Sequence, residues 1–180
     1  MRKRTRLVVA AVAFMIAAGC GTERLVRPDG STVATTYRAN NLPENVITNL
    51  ETAYRNRDIE AFAGLLAPEF TFRFQPGDVP AVGRSSWGRE EEIESTRGLF
   101  ESERVKNIEI RLEYLPAEIA TEPGLEHTMR IRVGRAFLRV IEESIVHEVP
   151  GHPQDFFLRR EHGDHPNRWV IVEWRDLPPS

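Results

Sequence analysis

Cysteine is nearly absent from this chain of 180 residues: Cys20 stands alone. A single thiol excludes an internal disulfide framework and any metal site built on cysteine clusters. Lysine is almost as scarce, with two residues against 22 arginines, and cations as a whole fall short of acids, 24 to 27. From Cys20 onward 20 cations face 27 acids. Neutralising a phosphate backbone needs surplus positive charge, so a general nucleic-acid binder is excluded and no nucleic-acid partner is expected. Long apolar runs are missing too. The longest, Leu7 to Ala18, has twelve residues, where a spanning helix needs about 20. There is no Ser-His-Asp signature, no phosphate-cradling glycine loop and no nucleotide fingerprint, so no cofactor is expected. His147-Glu148-Val149-Pro150-Gly151-His152 spaces its histidines by five, with Pro-Gly between. Two ligands on one helical face need a spacing of four, so no metal is expected. What is present is 41% hydrophobic residues, enough for one core and too many for a disordered acidic chain.

The first twenty residues read as an address. Arg2, Lys3, Arg4 and Arg6 form a cationic start without acids, followed by the twelve-residue apolar run and then Ala17-Ala18-Gly19-Cys20. These are the proportions of an export signal rather than of an anchor. The small residues leading into the cysteine resemble the lipobox of bacterial lipoproteins. That resemblance implies cleavage after Gly19, acylation of Cys20 and attachment to the membrane on the non-cytoplasmic side of the cell envelope. It also implies sorting to an outer membrane, where the cell has one, because Gly21 rather than Asp follows. Two or more acyl chains give stable attachment. The expected organisation is a signal peptide over 1–19, a lipid-anchored tether over 20–43, aperiodic and rich in Thr, Asn, Gly and Pro, and one domain over 44–180.

Within that domain the period changes once. Val46, Ile47, Leu50, Ala53 and Tyr54 form one helical stripe behind Pro43. Asp58 caps a short second helix that places Ile59, Phe62, Leu65 and Leu66 inward and stops at Pro68. Phe70 to Phe74 alternates as a strand with a phenylalanine face, and Gln75 to Gly83 is loop. A third helix, capped by Ser85 or Ser86, runs to about Phe100; its acids Glu90, Glu91, Glu92 and Glu94 read as a solvated face suited to a helix start. From residue 105 the period is two: 108–114, 127–133, 137–149 (with a bend at Glu142-Glu143-Ser144), 156–161 and 169–174. Helices segregated from an antiparallel meander make the fold α+β.

Ala53-Tyr54-Arg55-Asn56-Arg57-Asp58-Ile59, the stretch Leu65 to Phe70, and the closing Arg168-Trp169-Val170-Ile171-Val172-Glu173-Trp174 resemble the nuclear transport factor 2-like superfamily, which includes ketosteroid isomerases and SnoaL-like cyclases. The resemblance spans residues 44–177. It implies a cone: three N-terminal helices packed on a curved antiparallel sheet around a conical pocket. Enzyme members place a carboxylate or a His–Asp pair in that pocket, and the isomerase base sits at the end of the first strand before a proline. Here that place reads Arg73-Phe74-Gln75-Pro76, with no group able to shuttle a proton.

Tyr54, Phe70, Phe72, Phe74, Trp87 and His127 are therefore the expected pocket lining, His127 because it alternates with Met129, Ile131 and Val133. His127 and Glu173 are the candidates for catalysis, Glu173 only if Trp169 and Ile171 face inward. The sequence reading is a non-catalytic envelope lipoprotein that binds a small apolar ligand or a protein partner. The alternatives are an isomerase, dehydratase or cyclase working in the cone, and a structural or assembly lipoprotein pairing as a homodimer through its sheet.

Overall fold

The structure is a computed structural model and describes residues 36–143, 145–149, 152–161 and 167–178. The chain enters through helix α1 (Pro43–Asn56), whose proline occupies the first turn and whose stripe Val46, Ile47, Leu50, Ala53 and Tyr54 is buried as its spacing dictates. Asp58 caps α2 (Ile59–Ala63) by accepting from the Ala61 amide at 2.9 Å. That helix ends five residues before Pro68, which lies inside strand β1 (Leu66–Arg73). A proline is tolerated there because β1 pairs with its long neighbour at Leu66 and then again only from Thr71. Next come the single turn α3 (Val79–Val82) and a short strand β2 (Ser86–Gly88). Helix α4 (Arg89–Glu101) starts at Gly88, whose amide donates to Glu91 Oε2 at 2.9 Å. Of the two expected serine caps, Ser85 precedes β2 and Ser86 opens it, and Trp87 points inward from that strand. One member of the acidic run departs from a solvated face: Glu92 is buried together with Ile93, Thr96 and Phe100.

The remaining strands are β3 (Val105–Tyr114), β4 (Glu118–Ile119), β5 (Met129–Glu142), β6 (Val146–Val149), β7 (Gln154–Arg160) and β8 (Trp169–Asp176). They join in the order β2-β1-β8-β7-β5-β3, with β4 and β6 also paired to β5. All pairings are antiparallel except β1 with β8, so the sheet is mixed. The two runs read separately before and after Gly134 are the single strand β5. Glu113 pairs Arg135 and Tyr114 pairs Val133, leaving Gly134 as an extra residue that switches the inward set from Ile131 and Val133 to Ala136, Leu138 and Val140. Helices α1, α2 and α4 fill the concave side around a core that includes Phe62, Phe70, Phe156 and Ile171. Ala67, Ala120, Phe157, Val170 and Val172 form a small second cluster on the opposite face. The architecture is α+β and cone-like.

Residues 37–41, assigned above to the tether, are bound to this domain. Asn49 of α1 accepts from the Arg38 amide at 2.9 Å and donates to the Arg38 carbonyl at 2.8 Å. The Tyr37 hydroxyl donates to Asp58 at 2.8 Å, and the Trp169 amide to the Asn40 carbonyl at 2.7 Å.

Candidate functional site

The aromatic residues proposed as pocket lining are buried and, for the most part, brought together. Phe72 on β1 lies 4.9 Å from Phe74, 5.7 Å from Trp87 on β2 and 5.4 Å from Trp174 on β8, ring centre to ring centre. Trp174 in turn packs on Phe156 at 4.8 Å. Tyr54 meets Phe62 and Phe100 edge to face at 5.6 and 5.1 Å, and Phe70 is part of the sealed core. The rings of Tyr54, Phe72, Phe74, Trp87 and Trp174 keep 5–8% exposure, whereas Ile47, Leu50, Phe62 and Phe156 keep none. Phe72, Phe74, Trp87 and Trp174 thus form an aromatic cluster at the end of the cone near β2 and the C-terminal part of β8.

His127 is not part of this group. It is exposed, in a turn with a left-handed backbone (φ 70°), two residues before β5 begins. The alternation that links it to Met129 requires strand geometry that has not yet started. Glu173 also lies elsewhere. Ile171 does face the core, as a pocket role for Glu173 requires, but Leu158 pairs Ile171 and Phe157 pairs Glu173, so Val172 is a bulge. The bulge turns Trp174 inward and leaves Glu173 on the outer face, ion-paired to Arg73 at 2.9 Å and to Arg175. Cys20 and the whole of 1–35 lie outside the described residues, as do His162 and His165.

Two acids that the sequence reading passed over occupy the aromatic end instead. Glu92 is 3% exposed, and the Trp87 indole donates to its Oε2 at 2.7 Å. Asp176 follows Trp174 by two and shares its inward side; Gln154 Nε2 on β7 donates to its Oδ1 at 2.9 Å. Burial pushes Glu92 up to about 7, and the Asp176 charge adds to this against the Trp87 bond and the nearby Thr96 hydroxyl. Burial also pushes Asp176 up to about 7, with Asp78 adding its charge and the Gln154 bond opposing. Tyr54 is pushed up by burial first and by the Glu92 charge second. Carboxyls held near neutrality can both give and take a proton at physiological pH.

Among the described residues neither acid has an ion-pair partner. The buried acids of the outer face are treated differently: Glu173 has Arg73 and Arg175, and Asp155 has Arg132, whose Nη2 donates to Oδ2 at 2.7 Å. Two further polar atoms, Gln154 Oε1 and Trp174 Nε1, are buried without a hydrogen-bond partner. No group of three or more His, Cys, Asp or Glu side chains arranged for a metal occurs among the described residues. An open groove of about 670 Å³ runs between residues 37–41, α2 and Arg168. Two of its polar groups are committed, Asn49 to Arg38 and Arg168 to the Gly64 carbonyl, whereas the aromatic end gathers the two acids with shifted titration, which makes it the candidate site.

No family model and no curated protein sequence matches the chain. Solved structures do. A conserved protein of Planctomyces limnophilus superposes with a TM-score of 0.57 at 19% identity, covering 74% of this chain and 91% of the other. A protein of Catenulispora acidiphila, solved in complex with S-DNPA, gives 0.52 at 15% identity over 74% and 88%. A protein of Novosphingobium aromaticivorans, provisionally named an aromatic ring hydroxylase, gives 0.52 at 13% identity over 73% and 82%. At these identities the likeness concerns the fold alone, the cone-like α+β architecture of a curved mixed sheet with helices packed on its concave side.

Proposed function

We propose that this chain is an exported lipoprotein, attached through acylated Cys20, whose cone holds a small and mainly apolar molecule against Glu92 and Asp176. The observation that carries the reading is the conjunction at one end of the cone: aromatic side chains, the buried Glu92 and half-buried Asp176 without ion pairs among the described residues, and unpartnered polar atoms. Apolar walls supply the affinity of such a site and a few convergent polar groups fix orientation. Attachment rests on the cationic start, the short apolar run and the small residues before Cys20.

Native mass spectrometry on the domain from residue 36 onward, purified from its own envelope, tests the pocket. The expected result is a retained small molecule that is lost on Phe72→Arg; apo protein in every charge state overturns the reading. Incorporation of labelled palmitate into the full chain, abolished by Cys20→Ser, is expected for the anchor.

A second reading, an enzyme of isomerase, dehydratase or cyclase type, is favoured by one observation, that both inner acids sit near pH 7. Recovery of a different chemical form of the ligand from Glu92→Gln than from the unmodified domain would mark turnover.

A further inference from the structure

The chain carries 22 arginines and applies them unevenly. On the outer face each buried carboxylate has a guanidinium: Glu173 has two and Asp155 has one. At the aromatic end of the cone Glu92 on α4 and Asp176 on β8 have none among the described residues. The groups facing Glu92 are Trp87 of β2, Tyr54 of α1 and Asp176; those facing Asp176 are Gln154 of β7 and Asp78 ahead of α3. Arg84 stands 5.2 Å from the Trp87 ring centre, and its guanidinium is paired to the exposed Glu91. Arg175, next in sequence to Asp176, is turned to the outer face and held by Glu173.

An interior with two carboxyls and no cation of its own is complementary to a cation brought from outside. The walls agree with that charge. The faces of Trp, Tyr and Phe are electron-rich and attract a cation within about 6 Å, more strongly when water is excluded. The buried polar atoms give a finer indication. Gln154 Oε1 is buried, unpartnered and able to accept. Acceptors on Glu92, Asp176 and Gln154 call for a ligand with N–H donors. Trp174 Nε1 is an unpartnered donor and calls for an acceptor elsewhere on the same molecule. A metal ion is a poor fit, since aromatic carbon surrounds the two carboxyls where hard cations need six or more oxygens.

We infer that the cone takes a protonated organic amine with an apolar body, its ammonium group held between Glu92 and Asp176 against the Trp87 and Phe72 rings. This rests on the binding reading above and narrows its ligand to a cation.

The test compares three probes of one shape on the domain from residue 36: 3-phenylpropylamine, 3-phenylpropan-1-ol and 3-phenylpropionate. Affinity is read from tryptophan fluorescence and calorimetry at pH 5 and pH 8. The amine stays protonated at both, so any change with pH belongs to the protein. At pH 8 the amine is expected to bind at least tenfold more tightly than the alcohol, with the carboxylate weakest. At pH 5, where the inner acids are neutral, that preference is expected to fall at least fivefold. Glu92→Gln and Asp176→Asn are each expected to weaken amine binding about tenfold and leave the alcohol within twofold. The comparison on the unmodified domain stands even where a variant fails to fold. Equal or tighter binding of the alcohol at pH 8 overturns the cation and leaves an apolar-ligand site standing. No binding of any probe, with nothing retained in native mass spectrometry, overturns both.

Discussion

Glu92 is a single side chain whose environment makes two demands at once. Its carboxyl is enclosed by hydrocarbon, which favours the neutral acid, and its Oε2 accepts from the Trp87 indole, which favours the anion. Burial wins, and the group titrates near 7 rather than at its ordinary 4.5. The folded form therefore holds a proton that the unfolded chain releases above pH 4.5. Its contribution to stability is complete below that pH, is lost as pH rises to about 7, and is flat beyond. At ~1.4 kcal/mol per pH unit the loss is on the order of 3 kcal/mol. Glutamine mimics the neutral acid without titrating. Glu92→Gln is thus expected to melt level with the unmodified domain at pH 5 and several degrees above it at pH 8, as followed by circular dichroism. A variant that melts lower at both values would show that the buried carboxylate, not the acid, is the form the fold requires. The result bears on function, because an ionisable group that costs stability at neutral pH is not there to support the fold.

The elements of this domain are readable where one period rules and misread where it slips. The α1 stripe and the Asp58 cap follow from spacing and residue type alone, and so do the buried Phe72 and Trp87. The site's acids do not, and the cause is local. Parity with Trp169 and Ile171 assigns 173 and 175 to the interior of β8. The bulge at Val172 moves that assignment to Trp174 and Asp176, and alternating hydrophobicity cannot register it because Val170, Ile171, Val172 and Trp174 are all apolar. Gly134 does the same in β5, but there a glycine inside a strand pattern is a visible signal. Glu92 is concealed among Glu90, Glu91 and Glu94, though its spacing to Ile93, Thr96 and Phe100 puts it on their face. Another element boundary is held by a residue whose part is invisible in sequence. Arg57 ends α1 at φ 56° and donates to three carbonyls, Phe100 at 2.6 Å, Ser102 at 2.8 Å and Val105 at 2.9 Å. It ties the end of α1 to the end of α4 and the start of β3. Arg57→Ala unpairs all three and retains the left-handed backbone, so a loss of about 3 kcal/mol in urea unfolding is expected. Arg57→Gly loses the same bonds but relieves the backbone, and is expected to be about 1 kcal/mol less damaging.

For the whole molecule, the proposed attachment through Cys20 raises the question of how the domain is coupled to the segment that precedes it. Residues 37–41 are the junction. They reach α1 through Asn49, α2 through Asp58 and β8 through the Trp169 amide, so a pull on the chain ahead of them is shared between the first helix and the last strand of the sheet. Asn49 is the centre of this arrangement. It is 3% exposed, and its amide bonds the Arg38 amide and carbonyl and the Asn40 side chain at 2.9, 2.8 and 2.6 Å. Asn49→Ala removes all three while keeping the helix. The expected cost is about 2 kcal/mol, or roughly 5 °C in melting temperature for a domain of this size. Loss of the bonds also frees the segment from the domain, so limited proteolysis should cut near residues 37–41 well before the variant unfolds. The aromatic end of the cone shares no partner with Asn49, and effects at sites without shared partners add independently. Amine binding by Asn49→Ala is therefore expected to stay within twofold of the unmodified domain, and a larger change would mean that the junction and the cone interior are mechanically coupled.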